Sequence, residues 1–155
     1  MSLHRPCVPV AAGAIMTIVD RKDLQELSRV RLKEAKALLT LGLHDGAYYL
    51  AGYAVECALK ACIARQTLRY EFPDKDKVMK GWTHELNKLV NVAGLADDLQ
   101  ERTKRDFDFL TNWGIVAAWS AESRYRKHRA ESAHELVKAV DERRHGVIRW
   151  IRLHW

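Results

Sequence analysis

The run Gly42-Leu43-His44-Asp45-Gly46-Ala47-Tyr48-Tyr49-Leu50-Ala51-Gly52-Tyr53-Ala54-Val55-Glu56-Cys57-Ala58-Leu59-Lys60-Ala61-Cys62-Ile63 joins a helix start signal to a face of small and aromatic residues. Asp45 is placed to cap this helix with its carboxylate. Ala47, Leu50, Ala51, Ala54, Ala58 and Ile63 recur at helical spacing and make a buried side. Their small size lets a neighbouring helix axis come close, while Tyr48, Tyr49 and Tyr53 fill the flanks.

Upstream, Leu24, Leu27, Ala35, Leu38 and Leu39 predict a first helix from about Asp20 to Leu41, capped by Asp20 and ended by Gly42. So short a link between two long helices forces an antiparallel hairpin, the opening of an up-down bundle. Downstream, the pattern fails from Leu68 to Trp82, and Phe72-Pro73-Asp74-Lys75-Asp76-Lys77 reads as an exposed loop. Thr83 is placed to cap a short helix carrying Leu86, Leu89 and Val90, which Gly94 ends. A longer helix follows from about Asp97 to Trp113, and residues 114–130 either extend it or cross the bundle as a loop. Ser132-Ala133-His134-Glu135 has the form of a capping box, opening a last helix with Leu136, Val140, Val147 and Ile151 inward. No alternating strand pattern occurs. The expected fold is all-α, an up-down helical bundle of four to five helices in one domain over residues 20–155.

Three pieces in order carry a family resemblance. The second helix holds Asp45, Ala47 and Tyr48 and then Ala54-Val55-Glu56-Cys57-Ala58-Leu59-Lys60-Ala61; Thr83-His84-Glu85-Leu86 follows; Trp119-Ser120-Ala121-Glu122-Ser123-Arg124-Tyr125 precedes the last helix. Over roughly residues 20–155 the chain resembles the HEPN domain family. The resemblance implies a homodimer in a bacterial toxin-antitoxin or defence setting, with RNA or a minimal nucleotidyltransferase as partner and no cofactor. For the family's ribonucleases it implies metal-independent cleavage by an Arg and a His about four to six residues later, near the start of the last helix and brought together with its copy across a dimer. The His moves protons near neutral pH and the Arg holds the scissile phosphate.

Composition is compatible with this and does not demand it. With 155 residues, 48% hydrophobic and 30% charged, the chain has the make-up of one soluble globular domain. The net charge of +6 is unevenly spread: residues 124–155 hold nine Lys or Arg against four acids, a surplus of five. A phosphate-rich partner meets that end first. Cys57 and Cys62 lie on one helix at a spacing that turns them apart, and Cys7 leaves the count odd, so reduced thiols and a cytoplasmic location are expected. Residues 1–19 read as a disordered or mis-annotated leader, with Met1 or Met16 as the start. Its apolar piece Val8–Ile15 is too short to span a bilayer.

Arg129 and His134 satisfy the bare Arg-to-His spacing, but the Arg of the Glu-Xaa-Arg-Tyr piece is Arg124, whose nearest His is His128. Catalytic candidates are therefore Arg129 with His134, or Arg124 with His128. The plainer reading of Arg129 and His134 is a solvated charge and a first-turn histidine. This misalignment favours a binding module over an enzyme. Arg124, Arg126, Lys127 and Arg129 form a basic rim that, with Tyr125 and Trp119, has the make-up of a single-stranded RNA contact; packing anchors among solvated cations are the alternative. Glu56 and Lys60 suit an exposed ion pair on the second helix, yet Glu56 interrupts an apolar run and, with Tyr49 and Tyr53, could face a partner subunit or line a cleft. His84 is expected to bond locally or pack beside Trp82. No spacing of His, Cys and carboxylates suits a metal. A purely structural dimerisation domain is the remaining reading.

Overall fold

The computed structural model describes residues 19–67 and 74–155, and all its regular structure is helical. Helix α1 (Arg21–Thr40) begins with a reciprocal cap in which the Asp20 carboxylate accepts from Asp23 N and the Asp23 carboxylate accepts from Asp20 N, both at 2.9 Å. Gly42, at φ +74°, reverses the chain into α2 (His44–Arg65). Ala35, Ala47, Ala51, Ala54 and Ala58 are fully buried in the hairpin these two helices form. Helix α2 is the axis of the molecule. It is buried on nearly every side, with Val55, Cys57, Leu59, Ala61 and Cys62 covered as well as the alanine face.

Beyond it lie α3 (Lys75–Gly81), α4 (Leu86–Val92), α5 (Ala96–Arg105), α6 (Phe107–Ala117), a short 3₁₀ turn (Ala121–Tyr125), α7 (Ala130–Asp141) and α8 (Val147–Arg152). Leu136, Val140, Val147 and Ile151 are fully buried, as expected, but on two helices rather than one. The break comes from the Glu142 carboxylate, which accepts from Arg144 N and His145 N, and from Gly146. A Cβ on Gly146 would lie 2.3 Å from the Glu142 carbonyl oxygen, so only glycine fits this corner. The expected helix from Asp97 to Trp113 is likewise broken. Asp106 leaves helical geometry (φ −136°, ψ 96°), closing α5 and capping α6 by accepting from Phe109 N at 2.9 Å. These two breaks, with α3 and α4, make eight helical segments of the bundle among the described residues.

Other local expectations are corrected. Residues 75–81, read as loop, are helical because Asp74 caps them by accepting from Asp76 N at 3.0 Å. Thr83 caps no helix; it accepts from Glu85 N at 3.2 Å, and α4 starts three residues later. Ser132 lies inside α7, whose N-cap is Arg129, so Ser132-Ala133-His134-Glu135 is not a capping box and His134 stands in the second turn. Asp45 is not the cap of α2, because the helix already starts at His44. Cys57 and Cys62 are free thiols, both buried. Cys7, both candidate starts, the leader up to residue 18 and residues 68–73 of the expected loop lie outside the described residues. No helix among the described residues is long and apolar enough to cross a membrane.

Candidate functional site

The basic rim is carried by a strap between α6 and α7. It leaves α6 through Trp119, whose ring packs on Gly52 of α2 and stacks with Tyr49 at 6.0 Å. The 3₁₀ turn then presents Arg124 and Tyr125 outward, and residues 126–129 run extended to the start of α7. At that end the Asp45 carboxylate, unused as a cap, accepts from His128 N at 2.5 Å. The His128 ring lies flat on Tyr48, centroids 3.8 Å apart, and its Nε2 reaches the Ser123 carbonyl at 3.1 Å. The strap is therefore pinned to α2 at both ends, by packing at one and by polar contacts at the other.

This arrangement divides the candidates. Arg124, Arg126, Lys127 and Arg129 are all exposed, and none of them makes an ion pair among the described residues. The Arg124 guanidinium sits 4.9 Å over the Tyr125 ring, and Tyr125 first, then Tyr49, reinforce its charged form. Tyr125 is 79% exposed whereas Trp119 is buried, so only the tyrosine offers a face to a base. An acid shares the rim: Glu122 is held below the usual carboxylate range by its own backbone N–H, the Ser120 hydroxyl, and Arg124 and Arg126. His128, stacked and hydrogen-bonded, is a structural pin. His134 is exposed, and its Nδ1 pairs with the Ala130 carbonyl at 2.8 Å, which makes Nδ1 the protonated nitrogen and leaves Nε2 open.

A histidine that the motif comparison passes over lies beside it. The His44 ring, on the first residue of α2, is 6.1 Å from the His134 ring, centroid to centroid. Its signal in the sequence was only its place next to Asp45, at a helix start that the strap happens to cross.

Glu56 belongs elsewhere, roughly 18 Å along α2 from His44 at the helical rise. The expected exposed ion pair is corrected here, because Glu56 is only 2% exposed on a helix that neighbours surround. Its Oε1 accepts from Lys60 Nζ at 2.8 Å and faces His84 Nδ1 at 2.8 Å. His84 thus bonds across 28 residues rather than locally. With Tyr53 and Lys60, Glu56 lines a cavity of about 510 Å³ between α1, α2 and α3, walled by Leu24, Leu27 and Trp82. Burial, followed by the Cys57 thiol and the Glu56 charge, pushes the Tyr53 hydroxyl up to about 12. Tyr49 and Tyr53 stack at 6.0 Å and join this region to the strap. No group of three or more His, Cys, Asp or Glu among the described residues could hold a metal ion.

The three pieces that carry the sequence resemblance thus form two structural units: Glu56, Lys60 and His84 clasp α2 to the segment before α4, and Trp119 to Tyr125 begin the strap. The family model of the HEPN domain matches residues 22–143, most of the chain. The chain belongs to the HEPN domain family. No curated protein and no solved structure matches it significantly. The matched HEPN region takes in α1 through α7, and so includes the whole strap, both pins and the Glu56 clasp.

Proposed function

We propose that this HEPN protein binds single-stranded RNA through the strap, with Arg124, Arg126, Lys127 and Arg129 contacting phosphates and Tyr125 offering a stacking face. One observation carries the reading: four cations without ion-pair partners stand on a stretch that Asp45, Tyr48 and Gly52 hold in place. Solvated cations on a fixed backbone contact phosphates without first breaking internal pairs. Membership of the HEPN family supports a bacterial toxin-antitoxin or defence setting, pairing of two copies, and a nucleotidyltransferase as the competing partner.

A second reading, metal-independent cleavage, is favoured by His134. Its Nε2 is open for proton transfer, and Arg129, at the head of the same helix, supplies a cation for the phosphate. Of the two Arg and His combinations this one has the freer imidazole, since the His128 ring stacks on Tyr48 and its Nε2 meets the Ser123 carbonyl.

Titrating labelled single-stranded RNA by fluorescence anisotropy at several salt concentrations tests the binding reading. Affinity is expected to fall steeply with salt, and replacing Arg126 and Arg129 by Ala to flatten the slope by about 0.7 per lost phosphate contact. Binding that ignores salt, or none, removes RNA and leaves a protein partner.

A further inference from the structure

The cavity between α1, α2 and α3 lies away from the strap and takes no part in either RNA reading. Its volume of about 510 Å³ falls within the roughly 300–1,000 Å³ of small-molecule sites. Leu24, Leu27, Ile63, Val78 and Trp82 make its wall apolar, and into that wall α2 sets Glu56 and Lys60.

A carboxylate only 2% exposed is costly unless its lone pairs are satisfied. Both contacts of Glu56, from Lys60 Nζ and with His84 Nδ1, at 2.8 Å each, end on Oε1. Its Oε2 has no hydrogen bond among the described residues. Lys60 Nζ carries three N–H groups, gives one to Glu56, and has no other partner among the described residues. A free acceptor and spare donors thus stand one hydrogen bond apart in an apolar wall.

The charges of the lining cancel. Glu56 and Asp74 are matched by Lys60 and Lys77, so an ionic head group would enter with no counterion to offset its desolvation. An uncharged head with a donor beside an acceptor satisfies both free groups at once. We propose that this cavity binds a small apolar molecule headed by an uncharged amide, whose N–H donates to Glu56 Oε2 and whose carbonyl accepts from Lys60 Nζ. A primary amide has an N–H and its carbonyl on the same side, as the pair requires. The apolar remainder lies along Leu24, Leu27 and Val78 and covers part of the Trp82 indole, which is 74% exposed. The site is independent of the strap, and a failure of RNA binding leaves it standing.

Isothermal titration calorimetry of the full chain with octanamide, octanoate and octylammonium, three probes that share one alkyl chain, tests it. Octanamide is expected to bind at least about tenfold more tightly than either ion. Glu56→Gln leaves the Lys60 charge unmatched and is expected to turn the preference to octanoate. Lys60→Met leaves the Glu56 charge unmatched and is expected to turn it to octylammonium. Leu27→Trp, which fills the cavity from α1 and leaves both polar groups in place, is expected to abolish binding while circular dichroism shows the wild-type helical signal. The wild-type series decides even where a charge variant fails to fold: binding of none of the probes overturns the site, and equal or tighter binding of an ion overturns the amide head. Undiminished binding of octanamide by folded Leu27→Trp overturns the location, and an unchanged order of probes in folded Glu56→Gln and Lys60→Met overturns the roles of these two residues.

Discussion

The ring of Trp119 occupies the space a side chain on Gly52 would fill: a Cβ there would lie 2.3 Å from three atoms of the indole. Glycine in the middle of α2 costs about 1 kcal/mol of helix propensity relative to alanine, and the contact it admits fixes where the strap leaves α6.

Gly52→Ala is therefore expected to destabilise the protein by about 1–3 kcal/mol, against the usual gain of a glycine-to-alanine change in a helix. Thermal unfolding of the single variant and of Gly52→Ala with Trp119→Leu checks this. The pair should cost less than the sum of its parts, because the clash exists only while both side chains are present.

Asp106 predicts a pH effect at the break between α5 and α6. Burial alone would raise its carboxyl, but Phe109 N–H, His145 and Arg102 outweigh that and hold it below the usual range. A carboxylate depressed in the folded state contributes stability that is present above its unfolded value, near 4, and is lost as pH falls through its folded value. Asp106→Asn should remove this acid-side loss and lower stability at neutral pH by about 1–2 kcal/mol, read from urea melts at pH 7 and pH 3.

The buried thiols predict the opposite flank. Burial, reinforced by the Glu56 charge, pushes Cys57 up to about 11, and burial pushes Cys62 up to about 12, each from an ordinary value of 9.0. A folded value above the unfolded one means the native state holds more protons between the two. Stability is then whole below about pH 9 and falls as pH rises towards 11 and 12. Replacing both thiols by Ala should flatten that decline between pH 9 and 11, and neither native thiol should react with a thiol reagent at pH 7.

Glu56→Ala is expected to cost about 3–5 kcal/mol, because it strands the partly buried Lys60 ammonium and opens a hole in the most enclosed helix. Glu56→Gln keeps the shape and should cost less. The difference between their denaturant midpoints measures the charge separately from the packing.

Gly146→Ala is expected to disrupt the corner between α7 and α8, since backbone atoms rather than flexible side chains stand within 3 Å of the added Cβ. Loss of thermal stability without loss of the α1–α2 hairpin's helical signal is the expected outcome.

The hairpin was legible in the sequence because its signals are local: Asp20 at the start of the first helix, Gly42 at the turn, and alanines at helical spacing. Pattern reading faltered where one residue serves two masters. Asp106 looks like a polar residue on one long helix and is in fact the stop of one and the cap of the next. Asp45 resembles a cap and spends its carboxylate on His128, 83 residues away. Ser132 matches the capping-box spacing inside a helix already begun. Glu56 read as half of an exposed pair because nothing in its own neighbourhood reveals that α2 is surrounded. The approach of the His44 and His134 rings stayed invisible for the same reason, since periodicity along one helix does not encode what packs opposite it.

The double pinning of the strap has a consequence for its motions. Between Arg126 and the first turn of α7 the backbone donates to no other backbone group among the described residues, and His128 N is held by the Asp45 carboxylate alone. In amide hydrogen exchange this short stretch should therefore exchange early while both flanks stay protected, with the His128 amide the slow exception. Asp45→Ala, which removes the acceptor, would then loosen the α7 end of the cationic rim while leaving the bundle's global unfolding nearly untouched, so that the mobility of this stretch can be tuned apart from the fold.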